Sequence, residues 1–177
     1  VEKNLYLTIC LLCNFLCSGY SQQGALRDKV KSVYTSQIGV KELTGRNDGK
    51  EVEAYLKYVG LAKGNPWCAS FVCWSLGKSS VANPRAGGCV YLMERGELIY
   101  KLPTNYTKRT PIYGDVFFIW FAEKNRVAHT GFVDSWGDVW VVTVEGNTNQ
   151  AGSREGDGVL KKKRLRRQIY AVTNYIK

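Results

Sequence analysis

Between Asn65 and Gly77 the chain reads Asn65-Pro66-Trp67-Cys68-Ala69-Ser70-Phe71-Val72-Cys73-Trp74-Ser75-Leu76-Gly77, without a single charged side chain. Asn65 suits an N-cap, Pro66 the first helical position and Gly77 the stop. The helix so defined is apolar nearly all round, and such a helix belongs in a core. Other elements must therefore wrap around it. Ala25 to Tyr34 reads as a short helix with Leu26, Val30 and Val33 on one face. After the turn signal Asn47-Asp48-Gly49, Val52 to Val59 reads as another, stopped by Gly60. Residues 79–112 read as loop. From Gly114 the pattern changes to strands: Val116 to Phe121, Val127 to Val133, Val139 to Val144 around Gly137, and Gln168 to Ile176. Gly146 to Gly158 reads as a loop between the last two. Helices first and strands later predict an α+β fold, with N-terminal helices packed on an antiparallel sheet in one compact domain.

The length of 177 residues suits one domain, and 45% hydrophobic residues supply a globular core. Leu5 to Phe15 is almost wholly apolar, follows Lys3, and is too short to span a bilayer. Gly19 and Ser21 fit a secretory cleavage site, so residues 1–21 are expected to be a signal segment and 22–177 the mature domain. A buried N-terminal helix or a lipid anchor at Cys17 are the alternatives. Export implies a secreted or periplasmic protein without stable membrane insertion, and it removes Cys10, Cys13 and Cys17. Cys68, Cys73 and Cys89 remain, an odd set that leaves at least one thiol free; a Cys73–Cys89 bridge is open. The net charge is +10, concentrated in Lys161-Lys162-Lys163-Arg164-Leu165-Arg166-Arg167. A basic surface implies an anionic partner, although the run can equally be a solvated strand edge.

Cys68 falls near the start of its helix, where free backbone N–H groups stabilise a thiolate and can receive an oxyanion. Cys73, five residues deeper, reads as packing. His129 is the chain's one histidine, so a base for the thiol must be His129. On adjoining strands Val127, His129, Gly131 and Val133 share one face, and Val139, Val141, Thr143, Glu145 and Asn147 another. A three-residue loop Trp136-Gly137-Asp138 pairs Ser135 with Val139 and sets His129 directly opposite Glu145, with Asn147 one diagonal step away. Either can hold the imidazole in its useful tautomer.

Asn65-Pro66-Trp67-Cys68-Ala69-Ser70-Phe71-Val72, Gly114-Asp115-Val116, Ala128-His129-Thr130-Gly131 and Glu145-Gly146-Asn147 together resemble the CHAP domain, the cysteine- and histidine-dependent amidohydrolase/peptidases of bacterial cell walls. The resemblance covers about residues 25 to 176. It implies a papain-like fold, with Cys68 as nucleophile, His129 as base, Glu145 as orienting acid and Asn147 as further support. The reaction implied is cleavage of a peptidoglycan amide or peptide bond through a thioester. The expected substrate contacts are Trp67, Asn65, Asn149 and Arg154, with segments 79–112 and 146–158 as cleft walls. The expected partner is peptidoglycan rather than nucleic acid, acted on by a monomer. One histidine and scattered cysteines give no zinc spacing, and Asn47 to Asn65 lacks an Asp-rich calcium loop, so no metal or other cofactor is expected. Two other readings stay open. One is a secreted basic binding module for wall polymer or nucleic acid, with Trp136 and Trp140 as stacking faces. The other is a toxin that uses the same residues for acyl transfer or deamidation.

Overall fold

The computed structural model describes residues 22–150 and 156–177; the expected signal segment and Arg154 lie outside them. Helix α1 covers 22–36, longer at both ends than its apolar pattern, and buries Val30 and Tyr34. Helix α2, Lys50–Tyr58, buries Val52, Tyr55 and Leu56. Helix α3, Cys68–Lys78, buries Cys68 through Cys73, then Ser75 and Leu76. Its N-cap is Trp67, so the helix begins later than Asn65 and Pro66 predict. The reason is local: the Asn65 side chain turns back to donate to the Ala62 carbonyl at 2.9 Å and caps nothing. Nor does Gly77 stop the helix. It lies within the last turn, pressed so close to the Tyr58 ring that a Cβ would meet the phenol oxygen at 2.1 Å.

Residues 79–112 are more ordered than their sequence suggests. They hold helix α4, Cys89–Arg95, and strands β1, Glu97–Lys101, and β2, Tyr106–Thr107. Then follow β3, Val116–Phe121, β4, Arg126–Trp136, β5, Trp140–Thr148, β6, Gly158–Leu165, and β7, Ala171–Asn174. They form one sheet in the order β2-β1-β7-β3-β4-β5-β6, with every neighbouring pair antiparallel. The protein is thus an α+β fold with its N-terminal helices packed against an antiparallel sheet. Lys161 to Leu165 of the basic run form the second half of the edge strand β6, Arg166 and Arg167 following in a 3-10 turn, and the opening of β6 is flanked by backbone bonds to 39–42.

An aromatic line joins helices to sheet: Trp67 and Phe71 of α3 both touch Tyr55 of α2, Phe71 meets Phe132 of β4, and Phe132 stacks on Tyr34 of α1 at 4.6 Å. The other face of the sheet carries a second cluster around Tyr100, Phe117, Val133, Val141 and Val172. Asp115, fully buried, ties the ends together. It accepts from Arg27 of α1 at 3.0 Å and from both terminal nitrogens of Arg109 at 2.7 and 2.8 Å. A buried carboxylate needs such partners, because removing a charge from water unpaired is costly.

The β4–β5 hairpin differs from the predicted register. Trp136 pairs with Val141, which leaves a four-residue tip, and Ser135 pairs with Val142. A tip of even length would turn His129 and Glu145 to opposite faces. Asp134 is an extra, unpaired residue between Ser135 and Val133, which pairs with Thr143. This bulge restores the parity. The net offset is two residues, so the position beside Glu145 is Gly131 and not His129. Tyr34, Lys31 and Lys161 all bind the Asp134 carboxylate and pin the bulge.

Candidate active site

Cys68 is the first residue of α3, its side chain 5% exposed. The N–H groups of the first turn have no carbonyl four residues back, and the Ala69 N–H reaches the Cys68 sulfur. The Cys68 thiol is held well below its ordinary pKa. The largest cause is a hydrogen bond with the Cys89 thiol; burial opposes it, and His129 and the Ala69 N–H add to it. The two sulfurs lie 3.6 Å apart. Cys73 goes the other way: burial pushes it up to about 11. All three cysteines are free, and Cys89 faces Cys68, not Cys73.

His129 projects from β4 and is almost wholly buried. Its Nε2 lies 2.8 Å from Glu145 Oε2. Its Nδ1 makes no hydrogen bond of regular geometry and is the nitrogen left for the Cys68 sulfur. Burial disfavours the imidazolium, but Cys68 and Glu145 outweigh it and raise His129 to about 9. Thiol and ring therefore favour a thiolate–imidazolium pair.

Glu145 reaches His129 diagonally along its face of the sheet, and Gly131 makes this possible. A Cβ on Gly131 would stand 3.1 Å from Glu145 Cγ and 2.6 Å from the Val144 carbonyl oxygen. Burial opposes the Glu145 carboxylate, but Arg164 and His129 hold it far below the usual carboxyl range. Arg164 of β6 donates through Nε to Oε1 and through Nη2 to Oε2, both at 2.5 Å, and Thr143 donates to Oε1 at 2.5 Å. Such a fork fixes the plane of the carboxylate as well as its charge.

The motif residues divide their work. Glu145 faces His129. Gly146 leaves room for the rings of Trp67 and Phe71, which a Cβ would meet at 2.7 and 2.9 Å. Asn147, in the left-handed region at φ 55, turns its amide toward the start of α3. With the amide turned so that both its ends find partners, its Nδ2 donates to Gly156 O at 2.8 Å and Asn47 Oδ1 at 3.3 Å, and its Oδ1 accepts from the Trp67 N–H at 3.3 Å. Asn147 thus supports the Cys68 helix and leaves the imidazole to Glu145.

A narrow cleft of about 160 Å³ opens onto Cys68, walled by Asn65, Pro66, Gly87 to Cys89, Arg126, Ala128 and Asn147. Larger grooves exist, such as one of about 470 Å³ beside Arg166 and Val139, but neither Cys68 nor His129 lines it. Trp67 is no part of the cleft wall. It has no exposed surface, and its Nε1 donates to Glu42 at 2.9 Å. Asn149 receives Lys162 on its backbone oxygen at 2.5 Å, and it is absent from the cleft lining. Sequence reading missed Arg164 and Thr143, which hold Glu145, and Cys89 and Arg126, which line the cleft. For Arg164 a signal existed: period two along 160–164 alternates exposed Lys161 and Lys163 with Leu160, Lys162 and buried Arg164. Among the described residues no group of three or more His, Cys, Asp or Glu is placed to hold a metal ion. No helix among them is long and apolar enough to cross a membrane. The chain matches no protein-family model and no curated protein.

Proposed function

We propose that the protein is a cysteine hydrolase of the papain-like, CHAP-type class that cleaves an amide or peptide bond of peptidoglycan. The reading rests above all on one observation. The only histidine sits between a thiol at a helix N-terminus and a buried carboxylate fixed by an arginine. A structural histidine needs no acidified thiol on its other side. Cys68 would attack the carbonyl carbon, and the oxyanion would be met by the free N–H groups of the first turn of α3. His129, protonated at Nδ1, would then give its proton to the leaving amine, and the thioester would be opened by water that returns a proton to the ring. Glu145 would hold the ring throughout, itself held by Arg164 and Thr143.

The cleft supports an amide substrate on a slim chain. At about 160 Å³ it is too small for a glycan strand lying across it, but it admits an extended stem peptide. Arg126 at its edge offers a cation to a peptide carboxylate. Export to the cell envelope, expected from residues 1–21, would bring the enzyme to that substrate.

The test is digestion of purified peptidoglycan with wild type and Cys68→Ala, followed by mass spectrometry of the soluble fragments. Fragments ending at one defined amide, made by wild type alone, support the reading. Absence of fragments, or equal release by both proteins, overturns it. Amine-capped rather than free-acid ends would mean acyl transfer in place of hydrolysis.

A further inference from the structure

The hydrolase reading uses Cys68, His129, Glu145 and Arg164 but assigns no work to Cys89. Cys89 is no ordinary packing residue. Its sulfur is 3.6 Å from the Cys68 sulfur, and among the described residues no other cysteine is its partner. It begins α4 directly after Gly87 and Gly88, and it lines the same cleft as Cys68 at 6% exposure. Closing the pair to a bond of ~2.05 Å needs a shift of about 1.5 Å, and the two glycines ahead of Cys89 are the least restrained place in a chain to take it up.

We propose that Cys68 and Cys89 are a redox pair, in which a hydroperoxide converts the nucleophile and its neighbour into a disulfide that a thiol reductant reopens. In the first step the Cys68 thiolate attacks the peroxide oxygen. The O–O bond breaks, hydroxide leaves, and Cys68 becomes a sulfenic acid. In the second step the Cys89 sulfur displaces that oxygen as water, after giving up its proton. Two thiols and one hydrogen peroxide thus yield one disulfide and two waters. Two equivalents of an external thiol reverse the change and leave as their own disulfide.

The arrangement favours this course. Cys68 is the thiol that carries thiolate character, while Cys89 is held protonated beside it, its pKa raised by Cys68 and by burial. One sulfur is therefore prepared to be oxidised and the other to resolve the product. Cys73 takes no part, since its sulfur is turned to the Ala86 carbonyl. The cleft admits a peroxide or a small thiol. The consequence for activity rests on the hydrolase reading, whereas the disulfide chemistry does not.

The test uses the reduced protein, one equivalent of hydrogen peroxide, trapping with N-ethylmaleimide, and tryptic mass spectrometry. Cys68 and Cys73 share the tryptic peptide 64–78, so Cys73→Ala is run beside wild type to fix the assignment. The expected product is peptide 64–78 linked to peptide 86–95, restored to two maleimide adducts after dithiothreitol. In Cys89→Ser the sulfenic acid has no resolving thiol, so with hydrogen peroxide raised to a several-fold excess Cys68 gains two or three oxygens that dithiothreitol does not remove. The proposal is overturned if wild-type Cys68 gains oxygen while Cys89 still takes maleimide, or if Cys68 does not react. If the disulfide forms and reopens but the reduced protein digests no peptidoglycan, the hydrolase reading falls and the redox pair stands.

Discussion

Cys68 and Cys73 lie on the same helix, about one and a half turns apart, yet the two places treat a thiol in opposite ways. At the start of α3, Cys68 meets an N–H, an imidazole and a second thiol, and its pKa falls. In the middle, Cys73 meets mainly apolar neighbours, and burial raises it to about 11. Both are buried, so burial does not separate them. What separates them is the balance: backbone hydrogen bonds from Ala86 and Arg85 fall short of the burial cost at Cys73, whereas the Cys89 thiol, His129 and the Ala69 N–H together outweigh it at Cys68.

The largest expected difference is in catalysis. Cys68→Ala should lose at least ~10³-fold in peptidoglycan hydrolysis, as for removal of a nucleophile, while Cys73→Ala stays within a few-fold. Comparable losses in fragment release from the two variants would erase the contrast. Next comes reactivity. With a pKa of about 11, Cys73 is a thiolate in only about one molecule in 10⁵ at pH 6. Brief iodoacetamide treatment at that pH should therefore label Cys68 at least ~100-fold faster, read by peptide mapping. Faster labelling of Cys73 or Cys89 would contradict the geometry.

Third are the supports of the polar end. Glu145→Gln should cut turnover by ~10² or more, because His129 loses its orienting charge. Arg164→Gln should also lower thermal stability, since it leaves a buried carboxylate short of its fork. Asn147→Ala should cost less, because that side chain steadies the Trp67 N–H and not the ring. Turnover lower in Asn147→Ala than in Glu145→Gln would reassign the two. Fourth is pH. The folded pKa of His129 is raised above 6.5 to about 9, so its stabilising contribution is complete below about 6.5 and lost as pH rises through about 9. Turnover and Tm should both decline over that alkaline limb, and the decline in Tm should shrink in His129→Gln. The smallest effect concerns the surface. Neutralising exposed Lys163 and Arg167 should weaken binding to isolated peptidoglycan a few-fold at low salt and little at high salt, where surface charges are screened. Equal binding by wild type and variant at low salt would confine recognition to the cleft.

The contrast between the two thiols could be read from sequence because it follows from position along a buried helix. The same holds for the class of fold: strand β3 occupies the span its apolar run defines, and helices do precede the main strands. The segment 79–112 was opaque for a physical reason. Helix α4 has seven residues and β1 five, too short for periodicity to rise above composition. The contact between His129 and Glu145 emerged from an argument whose register was two residues off. Parity alone was right, and it was right because a four-residue tip and one bulge together equal an odd-length loop. Arg164 was hidden inside a run of like charges, where only the alternation of β6 marks it as inward-facing.

The bulge at Asp134 also governs how this hairpin can be altered. Deleting one residue from its tip, or grafting a segment one residue longer, asks the strand either to absorb the change at Asp134 or to turn every inward side chain outward. Three neighbours grip that carboxylate, so the bulge cannot slide freely. Loop grafts at 137–140 should therefore be chosen by even residue number rather than by size. A tip of two or six residues keeps His129 and Glu145 on one face, whereas a tip of three or five sends them apart, however well the new loop itself folds.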